Sequence, residues 1–198
     1  MKNLIQKMKP IKIQRSITSM TSDGRTIRGV AAVCDSWSKD LGGFIERIAP
    51  GAFTDALIRK SDVMLNVEHD PMKVLARCKY GKGSLTLRAT ERGLEFETEA
   101  PNTTLGNDML EMLKRGDYQQ CSFCFSILPN SDHWERNADN ILTREIREID
   151  RLYDVSIVYD PAYDATQVDA RGTEMVNIFT KLDALEAEIN LIFPNNYE

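Results

Sequence analysis

Apolar and polar residues alternate through much of residues 27–158, and the two-residue period predicts a succession of short strands. "IRGVAAVC" (27–34) is β-prone, breaks at the polar turn "DSWSKDLGG" and resumes at "FIERI", so a hairpin or meander is expected there. "DVMLNVEHD" follows as a strand ending at Pro71, and the same period puts Val63, Leu65, Val67 and His69 on one face. Segments 74–80, 83–89 and 93–100 read as three more strands between glycine-containing turns. "CSFCFSIL" is a strand with Cys121, Phe123, Phe125 and Ile127 on one face and Ser122, Cys124 and Ser126 on the other. A hydrophilic loop, "PNSDHWERNADN", separates it from two strand-like segments, "ILTREIREID" and "RLYDVSIVYD". The second is almost continuously apolar after Asp154, the pattern of a strand buried on both faces.

Three segments change to a helical period. "APGAFTDALIRK" spaces Phe53, Ala56 and Leu57 for a short helix opening at Pro50-Gly51. "TTLGNDMLEMLKRG" is the clearest helix. Thr103 or Thr104 can cap it, Leu105, Met109, Met112 and Leu113 form its stripe, and Gly116 stops it. From about Thr173, Met175, Ile178, Phe179, Leu182, Leu185 and Ile189 share a face, a stripe that should bury itself against the sheet or a partner subunit. Many strands with few helices predict a β-rich α+β fold, a closed or strongly curved antiparallel β-barrel with helices over its ends.

Composition narrows the class. A chain of 198 residues, 42% hydrophobic and 28% charged, suits one globular domain with a substantial core. No apolar run approaches the ~20 residues a bilayer span needs. The N-terminal "MKNLIQKMKPIKIQRS" lacks the uninterrupted apolar core of a signal peptide, so an intracellular protein is expected. A net charge of −5 and a pI near 5.2 offer no global attraction to nucleic acid or anionic membrane. The basic residues Lys2, Lys7, Lys9, Lys12 and Arg15 read as a solvated arm.

The four cysteines read as free thiols rather than a disulfide framework. Cys121-x-x-Cys124 invites a metal or redox reading, but structural zinc needs four ligands and Cys34 and Cys78 stand alone. In a strand, residues three apart point to opposite faces, so the pair cannot jointly grip one ion. Neither metal nor cofactor is expected. Of the two histidines, His133 lies in the polar loop, whereas His69 lies where an apolar strand meets "DP". A serine hydroxyl becomes a nucleophile when a neutral imidazole accepts its proton and a third group orients the ring. Ser122 and His69 could form such a pair, with Glu148, Asp150 and Asp154 as candidate third groups. No Gly-x-Ser-x-Gly elbow is present, which disfavours an α/β-hydrolase.

The order of blocks from about Gly29 to Arg171 resembles the serine-type prohead maturation proteases of tailed phages, whose fold is similar to that of herpesvirus assemblins. The blocks are "GVAAVCDSW", "FIERIAPGAF", "LNVEHDP", "KVLARC", "SLTLRATERGLEFETEAP", "GNDMLEMLKRGDYQQCSFCF" and "REIDRLYDVSIVYDPAYDATQV". The resemblance implies a herpesvirus-protease-like fold in which Ser122 is the nucleophile, His69 the general base and Asp154 the acidic partner. It departs at Cys124 and Ala76, where glycine is usual, at Glu68, which intrudes before the histidine, and at Asp154, commonly Glu. It further implies a serine endopeptidase that cleaves scaffold and major capsid protein extensions, and itself, inside the immature prohead in the host cytoplasm, encoded by a phage or prophage. Self-association is implied as well; nucleic acid and membrane are not expected partners. A non-catalytic capsid-assembly or scaffold-binding module with the same fold is the alternative. The expected organisation is a basic arm and first strand over 1–26, a protease domain over 27–172, and a C-terminal amphipathic helix and tail over 173–198.

Overall fold

In a computed structural model, residues 11–18, 20–159 and 170–192 are described, with side chains over 24–159 and 176–188. In chain order the elements are β1 (Ile11–Thr18), β2 (Met20–Asp23), β3 (Thr26–Val33), β4 (Ile45–Ile48), α1 (Asp55–Lys60), β5 (Asp62–Val67), β6 (Asp70–Lys79), β7 (Lys82–Gly83) and β8 (Leu85–Thr90). Then come β9 (Gly93–Glu99), α2 (Thr104–Arg115), β10 (Gln120–Ile127), β11 (Asp132–Arg136), β12 (Leu142–Ile146), β13 (Arg151–Val158) and α3 (Ala170–Ile192). No helix among the described residues is long and apolar enough to cross a membrane.

The fold is a strand-rich α+β arrangement of three open sheets, in the orders β1-β10-β13-β5-β6-β7, β2-β3-β9-β8 and β11-β12-β4. The expected closed barrel is not found. Closure would need continuous ladders at both pairs of edges, from β1 to β2 and from β7 to β8, and edge strands of four and two residues are too short to extend them. Nor is the pairing purely antiparallel: β13 runs parallel to β5, and β12 parallel to β4. The hairpin expected from "FIERI" is likewise absent, because β4 leaves β3 and joins β12 in another sheet.

The core takes Ile27, Leu65, Leu94, Phe96, Phe123, Phe125, Val155 and Ile157, contributed by the six- and four-stranded sheets. The parity expected for β10 is observed: Cys121, Phe123, Phe125 and Ile127 all enter that core. Phe123 stacks on Phe125 at 5.2 Å and meets Phe53 edge-on at 5.9 Å. Thr54 caps α1, which therefore starts at Asp55 rather than at Pro50-Gly51. Thr103 caps α2 and Gly116, in the left-handed region at φ 82°, ends it, as its pattern predicts, although Met112 of the expected stripe is exposed.

The supposed loop after β10 contains β11. Polarity does not exclude a strand there, because its partner β12 supplies Arg144, which binds Asp132 at 2.9 Å and Glu46 at 3.1 Å and lies over the Trp134 ring. This fully buried guanidinium joins all three strands of the small sheet. In α3, Val176 meets Gly43, while Phe179 lies under Arg136 and Asp183 pairs with it. Ile178, Leu182 and Leu185 of the expected stripe remain exposed, and among the described side chains it is Phe179 of that stripe that meets the body.

Candidate active site

Ser122, Asp154 and His69 reach one point from three places in the six-stranded sheet. Ser122 lies on β10 opposite Ser156, Cys124 lies opposite Asp154, and β13 in turn pairs with β5, whose end carries the turn to His69. Burial of Phe123 and Phe125 on one face of β10 fixes the parity that sends Ser122 and Cys124 to the other.

Asp154 depends on an irregularity. Cys124 pairs with Asp154, but Phe125 pairs with Leu152, which leaves Tyr153 as an extra residue in β13. The bulge lets Leu152 and Val155, three residues apart, both enter the core while Asp154 turns to the serine face. The Tyr153 hydroxyl lies 3.1 Å from Ser126 Oγ.

His69 is not on the face of Val63, Leu65 and Val67, as strict alternation predicts. Val67 pairs with Asp70, and the two residues between them, Glu68 and His69, form a hairpin turn with φ of 53° and 54°. Two successive left-handed residues break the strand period and carry the imidazole to the opposite side of the sheet. There Nδ1 is 2.7 Å from Asp154 Oδ1 and Nε2 is 2.7 Å from Ser122 Oγ. An ionised carboxylate only accepts, so Nδ1 carries the ring hydrogen, and Nε2 of the neutral ring accepts from the serine hydroxyl.

The group is largely shielded from water: Ser122 is 3% exposed, and the side chains of His69 and Asp154 are 19% and 8% exposed. Such shielding strengthens charge-assisted hydrogen bonds relative to the same pairs in water. The arrangement can move a proton from Ser122 Oγ to His69 and hold the resulting imidazolium against Asp154.

The other candidate third groups lie elsewhere. Asp150 is 3.7 Å from Lys60, and Glu148 is exposed. His133 sits on β11, with Nε2 3.4 Å from Glu135. Cys121 and Cys124 do point to opposite faces of β10, and burial pushes the Cys121 thiol up to about 12, so it stays protonated.

Sequence reasoning missed Ser156 at this site and noted Glu68 only as an intrusion before the histidine, without a role. The Ser156 hydroxyl accepts the His69 backbone N–H at 2.8 Å, and Glu68 accepts the Tyr159 N–H at 2.9 Å. Ser156 could have been found from its place two residues beyond Asp154 on the same strand face.

No curated protein matches the chain. Among solved structures, the bacteriophage T4 capsid assembly protease matches over 77% of this chain and 100% of its own, at 8% identity and a TM-score of 0.46. The family described as caudovirus prohead serine protease matches residues 12–180, most of the sequence, and on that match the chain belongs to this family of serine proteases.

Proposed function

We propose that the chain is a prohead endopeptidase that uses Ser122 as nucleophile, His69 as general base and Asp154 as the group that orients and stabilises the histidine. The observation that carries this reading is the single imidazole held 2.7 Å from both the serine hydroxyl and the carboxylate. His69 takes the hydroxyl proton as Oγ attacks a peptide carbonyl. The imidazolium then returns that proton to the leaving amine as the C–N bond breaks. Water, deprotonated by the same histidine, hydrolyses the acyl-enzyme and regenerates the serine.

The substrates in this reading are scaffold and capsid-protein extensions within the immature prohead, and the chain itself is a further one. Family membership supports that class. Cys124, fully buried beside Ser122 on the same strand face, adds bulk next to the nucleophile and narrows the space for a substrate side chain. Residues 27–172 form the protease domain in the same reading, with a strand-forming arm before it and a helix and tail after it.

The test is co-expression of the chain with its capsid and scaffold proteins, read by gel and intact mass. Wild type and Cys124→Ala should shorten those proteins, and Ser122→Ala should leave them whole. Capsid and scaffold masses unchanged by the wild type would favour a non-catalytic assembly module.

A further inference from the structure

The turn that presents His69 lacks the residues such a turn ordinarily needs. Two-residue hairpins with positive φ at both central positions favour Asn-Gly or Gly-Gly, because other residues crowd their own carbonyls in the left-handed region. Here those positions hold Glu68 and His69, at φ 53° and 54°. A residue with a side chain is disfavoured there. The histidine is required at its position if it is the base, but glycine or asparagine would suit position 68 better. A reason for glutamate must therefore lie in its side chain.

That side chain reaches back to β13. Glu68 Oε1 accepts the Tyr159 N–H at 2.9 Å, one residue past the end of the strand. The Glu68 N–H donates to Ile157 O at 3.0 Å, and the His69 N–H donates to Ser156 Oγ at 2.8 Å. Asp154 holds the ring itself. Both turn residues are thus fastened, by backbone and by side chain, to the strand that supplies the carboxylate. Glu68 also hydrogen-bonds Tyr118, whose ring meets Tyr159 edge-on at 6.3 Å. Burial first, then the Glu68 charge and this hydrogen bond, raise the Tyr118 pKa, so the phenol stays a neutral partner.

We propose that Glu68 and Ser156 are positioning residues for His69, tying a strained turn to β13 so that the imidazole stays in register with Ser122 and Asp154. This rests on the protease reading. Loss of the Glu68 tether leaves all three reacting groups present but frees the turn to relax away from β13. Misplacement of about 1 Å costs on the order of a hundredfold in rate.

Glycine at position 68 separates strain from tethering, because it suits the left-handed backbone while removing the carboxylate. The full-length chain and its variants would be treated with a fluorophosphonate, which reports the nucleophilicity of the serine without needing a cleavage sequence. Labelling rate and thermal midpoint would be read on the same samples. Glu68→Gly is expected to keep or raise the midpoint while labelling slows roughly ten- to a hundredfold. Glu68→Gln, which retains a carbonyl acceptor for the Tyr159 N–H, should return labelling to within about threefold of wild type. Ser156→Ala, which removes the acceptor for the His69 N–H, should slow labelling in the same way.

Wild-type labelling of Glu68→Gly, in a protein whose labelling is abolished by Ser122→Ala, overturns the tether. So does a Gln variant as slow as the Gly variant, which would make charge rather than the hydrogen bond responsible. A large fall in midpoint for Glu68→Gly would mark Glu68 as general support for the fold and also overturn the assignment. If the wild type takes no label, or Ser122→Ala still does, the protease reading itself fails.

Discussion

Ser122 and Ser156 face each other across the β10–β13 ladder, and each contacts a different part of His69. Ser122 Oγ meets the ring at Nε2, whereas Ser156 Oγ accepts the backbone N–H. One serine is placed to exchange a proton with the imidazole and the other to hold its main chain. This division gives the site three strands' worth of support for one movable ring, and it makes the contributions separable by substitution.

Asp154→Asn preserves size while reversing the chemistry at Nδ1. The amide can donate to that nitrogen, which shifts the ring hydrogen to Nε2 and leaves no lone pair for the Ser122 proton. Cleavage of co-expressed capsid protein is expected to fall by roughly 10³–10⁴-fold. Thermal unfolding, measured on the same preparation, should change little because Asp154 carries no core packing.

Arg144 tests the small sheet independently of the site. Truncation by Arg144→Ala leaves Glu46 and Asp132, both buried, without the guanidinium that pairs them. Urea unfolding should show a loss of about 3–5 kcal/mol. Adding Glu46→Gln and Asp132→Asn to that variant should recover part of the loss, since the penalty comes from stranded charge.

The Cys121 thiol gives a pH dependence of definite sign. Its pKa, pushed up to about 12 by burial, lies above that of an unfolded cysteine. Its contribution to stability is therefore complete below the unfolded value near ~8.5 and disappears as pH rises toward the folded value. Between pH 8 and 10, under reducing conditions, urea midpoints of the wild type should fall more steeply than those of Cys121→Ala.

Legibility in the sequence followed the regularity of the backbone. Phe123 and Phe125 obey a strict two-residue period, so the face of β10 that holds Ser122 could be read directly. His69 could not be oriented that way: Glu68-His69 carries no Asn-Gly signal, yet it adopts the positive φ values that reverse the face. Tyr153 similarly hides a bulge just ahead of the apolar run that follows Asp154, where no glycine marks it. Strand β11 was masked by charge, because its buried Asp132 is accommodated in the interior by the Arg144 guanidinium, twelve residues away, and by the Trp134 indole N–H. Barrel closure failed for a different reason. Strand number suggested it, but the lengths of β2 and β7 decide whether edges can join, and short polar strands leave little trace.

Strand β13 is the last strand among the described residues, yet it lies inside its sheet, between β10 and β5. Adjacent strands are about 4.8 Å apart, so without β13 the serine strand and the histidine hairpin are separated by an empty lane roughly twice that wide. A chain emerging from the ribosome has made its serine and its histidine well before the segment that joins them. In the protease reading, the order of synthesis leaves Ser122 and His69 unjoined until β13 has been made and has entered the sheet.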